Sequence, residues 1–347
     1  MSTDVSIDLL DRAQAGDRQA FDRLVCGYRR ELHVYCYRYL GSFAEAEDVL
    51  QETLLSAWRG LPGFERRASL RTWLYRIATS RCVDAARSNR PQAPWIDAAG
   101  RAEALSPPQP TRLGRLFWLE PYPDELLAEL PDSAPGPDAR IEKAESVSLA
   151  FITALQVLTP RQRAAVILRD VLDFSAIEAA AIVGTTVESL TSALKRARAT
   201  LARHRRTDPP RPPSAGSALE QRTVRRLVSA FEAGDVAALV RLLTDDVQLT
   251  MPPLPFEYDG PQLAGAFLAA TALRPGWRCR LLPTRANGQP AFGFYARDPD
   301  GGAFRTVGLL AVTLDGARVC ALTRFDPRVL ERFGLPARLA ETGDHRR

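Results

Sequence analysis

The sequence predicts a multidomain chain in which two all-α blocks precede an α+β domain built on an antiparallel sheet. Three observations carry that prediction. Capping boxes, a hydroxyl residue followed three positions on by Glu or Gln, open successive helices between Leu158 and Arg206. The stretch from Asp4 to about Arg90 follows a helical pattern. Beyond Leu219 two helices give way to short alternating runs punctuated by Asn287-Gly288 and Asp315-Gly316, the turn residues of hairpins.

Composition bounds the class. The 347 residues suffice for two or three domains. A net charge of +5 permits a polyanionic partner. Cys26, Cys36, Cys82, Cys279 and Cys320 are scattered, without a CxxC or neighbouring histidines, so no metal site is expected and the thiols suit a reducing cytoplasm. The acidic N-terminus lacks a signal-peptide core, and no apolar run of about 18 residues suggests a membrane span. A cytoplasmic protein is expected, with no cofactor.

In block 1–90, Ser42-Phe43-Ala44-Glu45 starts a helix with two faces. Ala46, Leu50, Leu54 and Ala57 line one, and Asp48, Gln51, Glu52 and Leu55 the other. The second stripe reads either as a solvated face or as a docking face for a basic partner. Next, Arg66, Arg67, Arg71, Arg76, Arg81, Arg87 and Arg90 interleave with Phe64, Trp73 and Tyr75. Rings among arginines suit unpaired nucleic acid, because rings stack on bases while guanidiniums hold phosphates. The same pattern is that of an amphipathic helix with Trp73, Ile77 and Val83 in its core.

Segment 91–145 is proline-rich and acidic. Its Phe117-Trp118-Leu119 and Tyr122 are too apolar for a plain tether, so this part is expected to dock on a surface. Block 146–206 carries boxes at Thr159/Gln162, Ser175/Glu178 and Thr185/Glu188, with Gly184 supplying the turn of a helix-turn-helix. On its last helix Val187, Leu190, Leu194, Ala197 and Leu201 point inward. Glu188, Ser189, Thr191, Ser192, Lys195, Arg196 and Arg198 point outward, which suits a helix that reads DNA or, for the arginines, a solvated C-terminal end favourable to the helix dipole. Residues 207–218 form a linker, stiff at its prolines. Domain 219–336 has strands at Val247–Met251, Arg278–Leu282, Ala291–Ala296, Thr306–Leu314 and Arg318–Phe325, and 337–347 is a tail. Its polar candidates are Asp246, Tyr258, Asp259, Arg324 and Asp326. With no histidine from Leu219 to Pro336 and no acid/base pair at a telling spacing, catalysis is not expected and no catalytic residue is assigned.

Taken together, GSFAEAEDVLQETLLSAWRGLPGFERRASLRTWLYRIATSRCVDAAR resembles region 2 of extracytoplasmic-function (ECF) sigma factors, and Leu158–Arg206 resembles their region 4. FWLEPYPDELL, with an α+β domain after region 4, resembles the sigma-G-like subgroup, whose appended domain is SnoaL-like (NTF2-like), a curved sheet closed by helices into a cone. The resemblance implies an alternative sigma factor that binds core RNA polymerase through its β′ clamp helices and β flap. Asp48, Gln51, Glu52 and Leu55 would meet the clamp helices. Phe64, Arg66, Arg67, Arg71, Trp73, Arg76, Ser80 and Arg81 would hold the melted −10 element, although the family often has Asn where this chain has Ser80. Glu188, Ser189 and Ser192 would read −35 base edges, while Lys195, Arg196 and Arg198 would hold phosphates. The acidic linker would lie along basic polymerase channels, and the C-terminal domain would modulate activity by contacting the sigma regions. Two other readings are a free-standing helix-turn-helix regulator with a ligand-sensing domain and an enzyme with a DNA-binding module.

Overall fold

The structure is a computed structural model that describes residues 3–88, 107–114, 119–128, 146–204, 210–297 and 302–340. The chain forms two compact units, one of residues 1–90 with 126–205 and one of residues 91–125 with 206–347.

In the first unit, α1 (Thr3–Gln14), α2 (Arg18–Leu40), α3 (Phe43–Gly60) and α4 (Leu70–Ser88) make the N-terminal block. Asp17 caps α2 by accepting from the Ala20 N–H at 3.0 Å, and Gly41, at φ 79°, ends it in a left-handed turn. Ser42 then accepts from the Glu45 N–H at 3.2 Å and starts α3. Tyr35, Tyr39 and Tyr75 are buried at the centre, and the Tyr35 hydroxyl lies 2.7 Å from Thr79 Oγ1. The second block comprises α6 (Leu149–Leu155), α7 (Pro160–Val166), α8 (Ala176–Val183) and α9 (Val187–His204). The boxes at Thr159/Gln162 and Ser175/Glu178 are both reciprocal. At the third start the cap is Thr186, which accepts from the Ser189 N–H at 3.2 Å, one residue later than the spacing predicts.

In the second unit, α10 (Ala218–Ala233) and α11 (Val236–Leu242), separated by Gly234 at φ 67°, precede the sheet. The strands are β1 (Arg112–Leu113), β2 (Leu243–Met251), β3 (Leu254–Asp259), β4 (Arg278–Ala286), β5 (Gln289–Arg297), β6 (Phe304–Asp315), β7 (Arg318–Phe325) and β8 (Arg338–Leu339). Their order is β1-β3-β2-β7-β6-β5-β4, with β8 against β6. A helix, α12 (Pro261–Ala270), follows β3. Leu227, Phe231, Leu249, Phe294 and Leu322 belong to the core between helices and sheet.

The expected antiparallel sheet needs correcting: it is mixed and does not close into a barrel. Strand β2 runs parallel to β7, with Leu249 opposite Leu322. The two strands are far apart in the chain, so no tight turn fixes their relative direction; β4–β5 and β6–β7 are hairpins and stay antiparallel. Strand β3 escapes the pattern because Pro252-Pro253 immediately precedes it.

The linker shapes this unit. Its β1 extends the sheet edge, pairing Arg112 with Glu257 and Leu113 with Phe256. Arg112 also bridges to Glu257 at 2.5 Å and Asp259 at 3.2 Å. Further along, Tyr122 is fully buried. It exchanges two hydrogen bonds with Asn287 of the β4–β5 turn, donating to Oδ1 at 2.8 Å and accepting from the Asn287 N–H at 2.9 Å. The α5 helix (Asp124–Ala128) opens with Asp124, which accepts from the Gly288 N–H at 2.8 Å and from Arg285 at 3.3 Å. One chain segment therefore touches both edges of the sheet. The expectation for Phe117 and Trp118 lies outside the described residues.

Candidate polymerase and promoter interfaces

Helix α3 buries Ala46, Val49, Thr53, Leu54 and Ala57 against the block. Periodicity then forces Asp48, Gln51, Glu52 and Leu55 outward, and all four are exposed. Leu55 is 55% exposed, one of few large apolar side chains so placed among the described residues. An apolar residue flanked by two carboxylates and an amide suits a basic protein surface better than solvent alone.

The predicted −10 residues separate into two groups. Phe64 is buried and lies 4.9 Å from the Trp73 ring, which is partly exposed. Arg67, Arg76 and Ser80 are exposed, with Arg67 paired to its neighbour Glu65 at 2.7 Å. The remaining arginines are engaged inside the unit. Arg66, at φ 59°, pairs with Asp11 and donates to Gln14 at 2.6 Å. Arg81 donates to the Ser56 hydroxyl at 2.9 Å. Arg71 stacks over Phe174 at 4.3 Å and Tyr75 at 5.1 Å, with Glu31 at 3.5 Å. Burial pushes the Glu31 carboxyl up, and Arg71 opposes that shift.

Phe174 precedes α8, so the Arg71 stack joins the two helical blocks. The Tyr75 ring meets Phe174 edge-on at 4.9 Å. Elsewhere along the same seam, the Tyr39 hydroxyl donates to the Pro160 carbonyl at 2.9 Å. Arg163 donates to the Tyr39 carbonyl at 2.5 Å, and Arg38 to the Ser146 carbonyl at 3.1 Å and hydroxyl at 2.7 Å. Sequence reasoning missed this seam. The only signals were a basic residue inside the aromatic run HVYCYRYL and an arginine just after a capping box.

On α9, Leu190, Leu194 and Ala197 are buried while Val187 and Leu201 are half-buried. Glu188, Ser189, Thr191, Ser192, Lys195, Arg196 and Arg198 are all exposed. The Glu188 carboxyl is held below the usual range by its own backbone N–H and the Thr186 hydroxyl, so it presents a charged acceptor at the helix start. Arg198 is bidentate to Asp170, at 2.6 and 3.0 Å, which ties it to the stretch Ile167–Val171 that follows α7.

Models of known families match in the same order. Sigma-70 region 2 matches residues 24–92, Sigma-70 region 4 matches residues 148–201, and a SnoaL-like domain matches residues 224–322. The chain is 39% identical over 312 residues to the ECF RNA polymerase sigma factor SigG of Mycobacterium tuberculosis, covering 89% of this chain and 82% of that one. The chain belongs to the ECF RNA polymerase sigma factors. It is also 33% identical over 198 residues to SigM of the same organism, covering 56% of this sigma factor and 82% of SigM. The crystal structure of the M. tuberculosis ECF sigma factor SigJ has the same fold, with a TM-score of 0.57 at 22% identity, covering 89% of this chain and 97% of that one. Helices α2–α4 of this sigma factor thus lie in region 2 and α8–α9 in region 4. No described helix is long and apolar enough to cross a membrane.

Proposed function

We propose that this sigma factor binds core RNA polymerase through Asp48, Gln51, Glu52 and Leu55, directs it to promoters with paired −35 and −10 elements, and aids melting at the −10 side. The observation that carries the reading is the sorting of charge on one unit. An acidic stripe faces outward on α3, while a helix-turn-helix presents an acidic and hydroxyl-rich start and a basic end on α9. Glu188, Ser189 and Ser192 lie where recognition helices meet base edges, and Lys195 and Arg196 where they meet phosphates. Phe64 and Trp73 form the ring pair beside which unpaired bases would lie.

The seam adds a requirement. The −35 and −10 elements lie, by their positions, roughly 25 base pairs apart, about 85 Å along B-DNA. Region 2 and region 4 touch through hydrogen bonds of 2.5–3.1 Å, so the structure is a closed state that opens before both elements are read. Arg71 then leaves Phe174 and becomes available to DNA. The C-terminal domain modulates this equilibrium through the linker it holds.

Reconstitution with core polymerase, followed by mapping of transcription starts over genomic DNA, tests the reading. A set of starts sharing one −35/−10 pair is expected; starts indistinguishable from those of core polymerase alone would overturn it. In the same assay, deletion of residues 219–347 changes activity or promoter range, and an unchanged profile would remove the regulatory role.

A further inference from the structure

The C-terminal unit carries a partly open cavity of about 590 Å³, within the size range of small-molecule sites. At the roughly 30 Å³ that one water occupies in the liquid, it holds up to about twenty non-hydrogen atoms. Phe231, Leu249, Phe267, Phe294, Leu310 and Leu322 make much of its wall, so an apolar body is favoured.

The charged groups at its wall are unevenly satisfied. Glu120 is paired with Arg332 at 2.8 Å. Asp326 accepts from the Arg328 N–H at 2.9 Å and faces the Arg328 guanidinium at 3.7 Å. The Thr271 hydroxyl donates to the Phe267 carbonyl at 2.7 Å. Two guanidiniums are left with donors to spare. Arg324 spends one nitrogen on the Val307 carbonyl at 3.0 Å, and the nearby Asp326 carboxylate offsets part of its buried charge without a hydrogen bond to it. Arg274 lies 3.8 Å over the Trp277 ring, and its buried Nε has no hydrogen-bond partner. A buried guanidinium donor without an acceptor is unfavourable, and a carboxylate is the acceptor whose geometry and charge match it. A dianion would carry a larger desolvation penalty in so apolar a space.

We infer that this cavity binds an amphipathic carboxylic acid, its apolar body among the phenylalanines and leucines and its carboxylate on Arg324 and Arg274. Pro107, Leu119 and Glu120, from the chain that joins region 2 to region 4, also line the cavity. The ligand therefore touches that segment directly, and its binding is coupled to the seating of Tyr122 on Asn287.

The test uses the full-length protein without polymerase, so it can fail while the transcription reading stands. Decanoate and 2-naphthoate are titrated calorimetrically against their uncharged alcohols and against decyltrimethylammonium. At least one acid saturates below about 1 mM and binds about tenfold tighter than its alcohol. Arg324→Met and Arg274→Gln each weaken that acid about tenfold, with circular dichroism verifying the fold. If Arg324→Met does not fold, Arg274→Gln and the alcohol comparison carry the decision. Alcohol or cation binding as tightly as the acid, or no saturable binding of either acid, overturns the site. Saturating acid also slows amide exchange at Tyr122 and Asn287; unchanged exchange in the bound protein refutes the coupling.

Discussion

Tyr39→Phe tests whether the seam between region 2 and region 4 limits access to polymerase. The substitution removes one oxygen and keeps the ring, which is fully buried between Tyr35 at 6.4 Å and the Arg163 guanidinium at 5.3 Å. The lost interaction is a single hydrogen bond across the seam, to Pro160 at 2.9 Å. Such a bond contributes about 1 kcal/mol net, which raises the open-to-closed ratio about fivefold. When the open fraction is small, apparent affinity scales with it, so binding to core polymerase tightens by the same factor. Fluorescence anisotropy of labelled protein titrated with core polymerase measures this, and thermal unfolding verifies that the block stays folded. Affinity unchanged or weakened in a folded variant refutes the reasoning, because it would mean that opening the seam does not limit binding.

Three other outcomes are expected. Reversing charge at Asp48 and Glu52 together weakens core polymerase binding about tenfold or more, read in the same titration, since both carboxylates are exposed and would oppose a basic surface. Glu188→Ala changes preference at one −35 position by about 1–3 kcal/mol in a promoter library, while an unaltered profile excludes Glu188 from base reading. Asp124→Ala loosens the linker from the β4–β5 turn and speeds amide exchange at Gly288 about fivefold. The effect is modest because burial pushes the Asp124 carboxyl up despite its bonds to Gly288 and Arg285, leaving little net gain from its charge, about 1 kcal/mol.

Local chemistry was legible where one short segment decides the outcome. The boxes at Thr159 and Ser175, the left-handed Gly184 and Gly234, and the β4–β5 turn at Asn287-Gly288 all act within four residues. The third box slipped by one because Thr185 and Thr186 are both competent caps, and burial of Leu190, Leu194 and Ala197 selects the register. Long-range pairing was not legible. The β2–β7 direction, the stack of Arg71 on Phe174, and the anchoring of Arg66 on α1 join residues far apart in sequence. Composition marked the stretch around Leu119 and Tyr122 as apolar, but an apolar stretch does not name its receptor. That receptor is the domain's own β4–β5 turn, where Tyr122 is bonded to Asn287.

The clamped linker also constrains how the closed state opens. Between α4 and the first described linker residue lie 18 residues, and between α5 and Ser146 lie 17. Whatever their conformation, these spans reach at most about 65 Å each at 3.3–3.6 Å per residue. Together they exceed the roughly 85 Å that separates the two promoter elements. Chain length therefore lets region 2 and region 4 part far enough for the proposed elements while residues 111–114 stay seated on β3 and Tyr122 and Asp124 on the β4–β5 turn. Opening the seam does not require the C-terminal domain to release the linker. Under the regulatory role proposed above, the domain is a node part-way along the chain that joins the two sigma regions, held at Arg112–Leu113 on β3 and at Tyr122 on the β4–β5 turn. A ligand that tightens the seat of Tyr122 would hold that node in place without blocking promoter access, and one that loosens it would lengthen both arms at once.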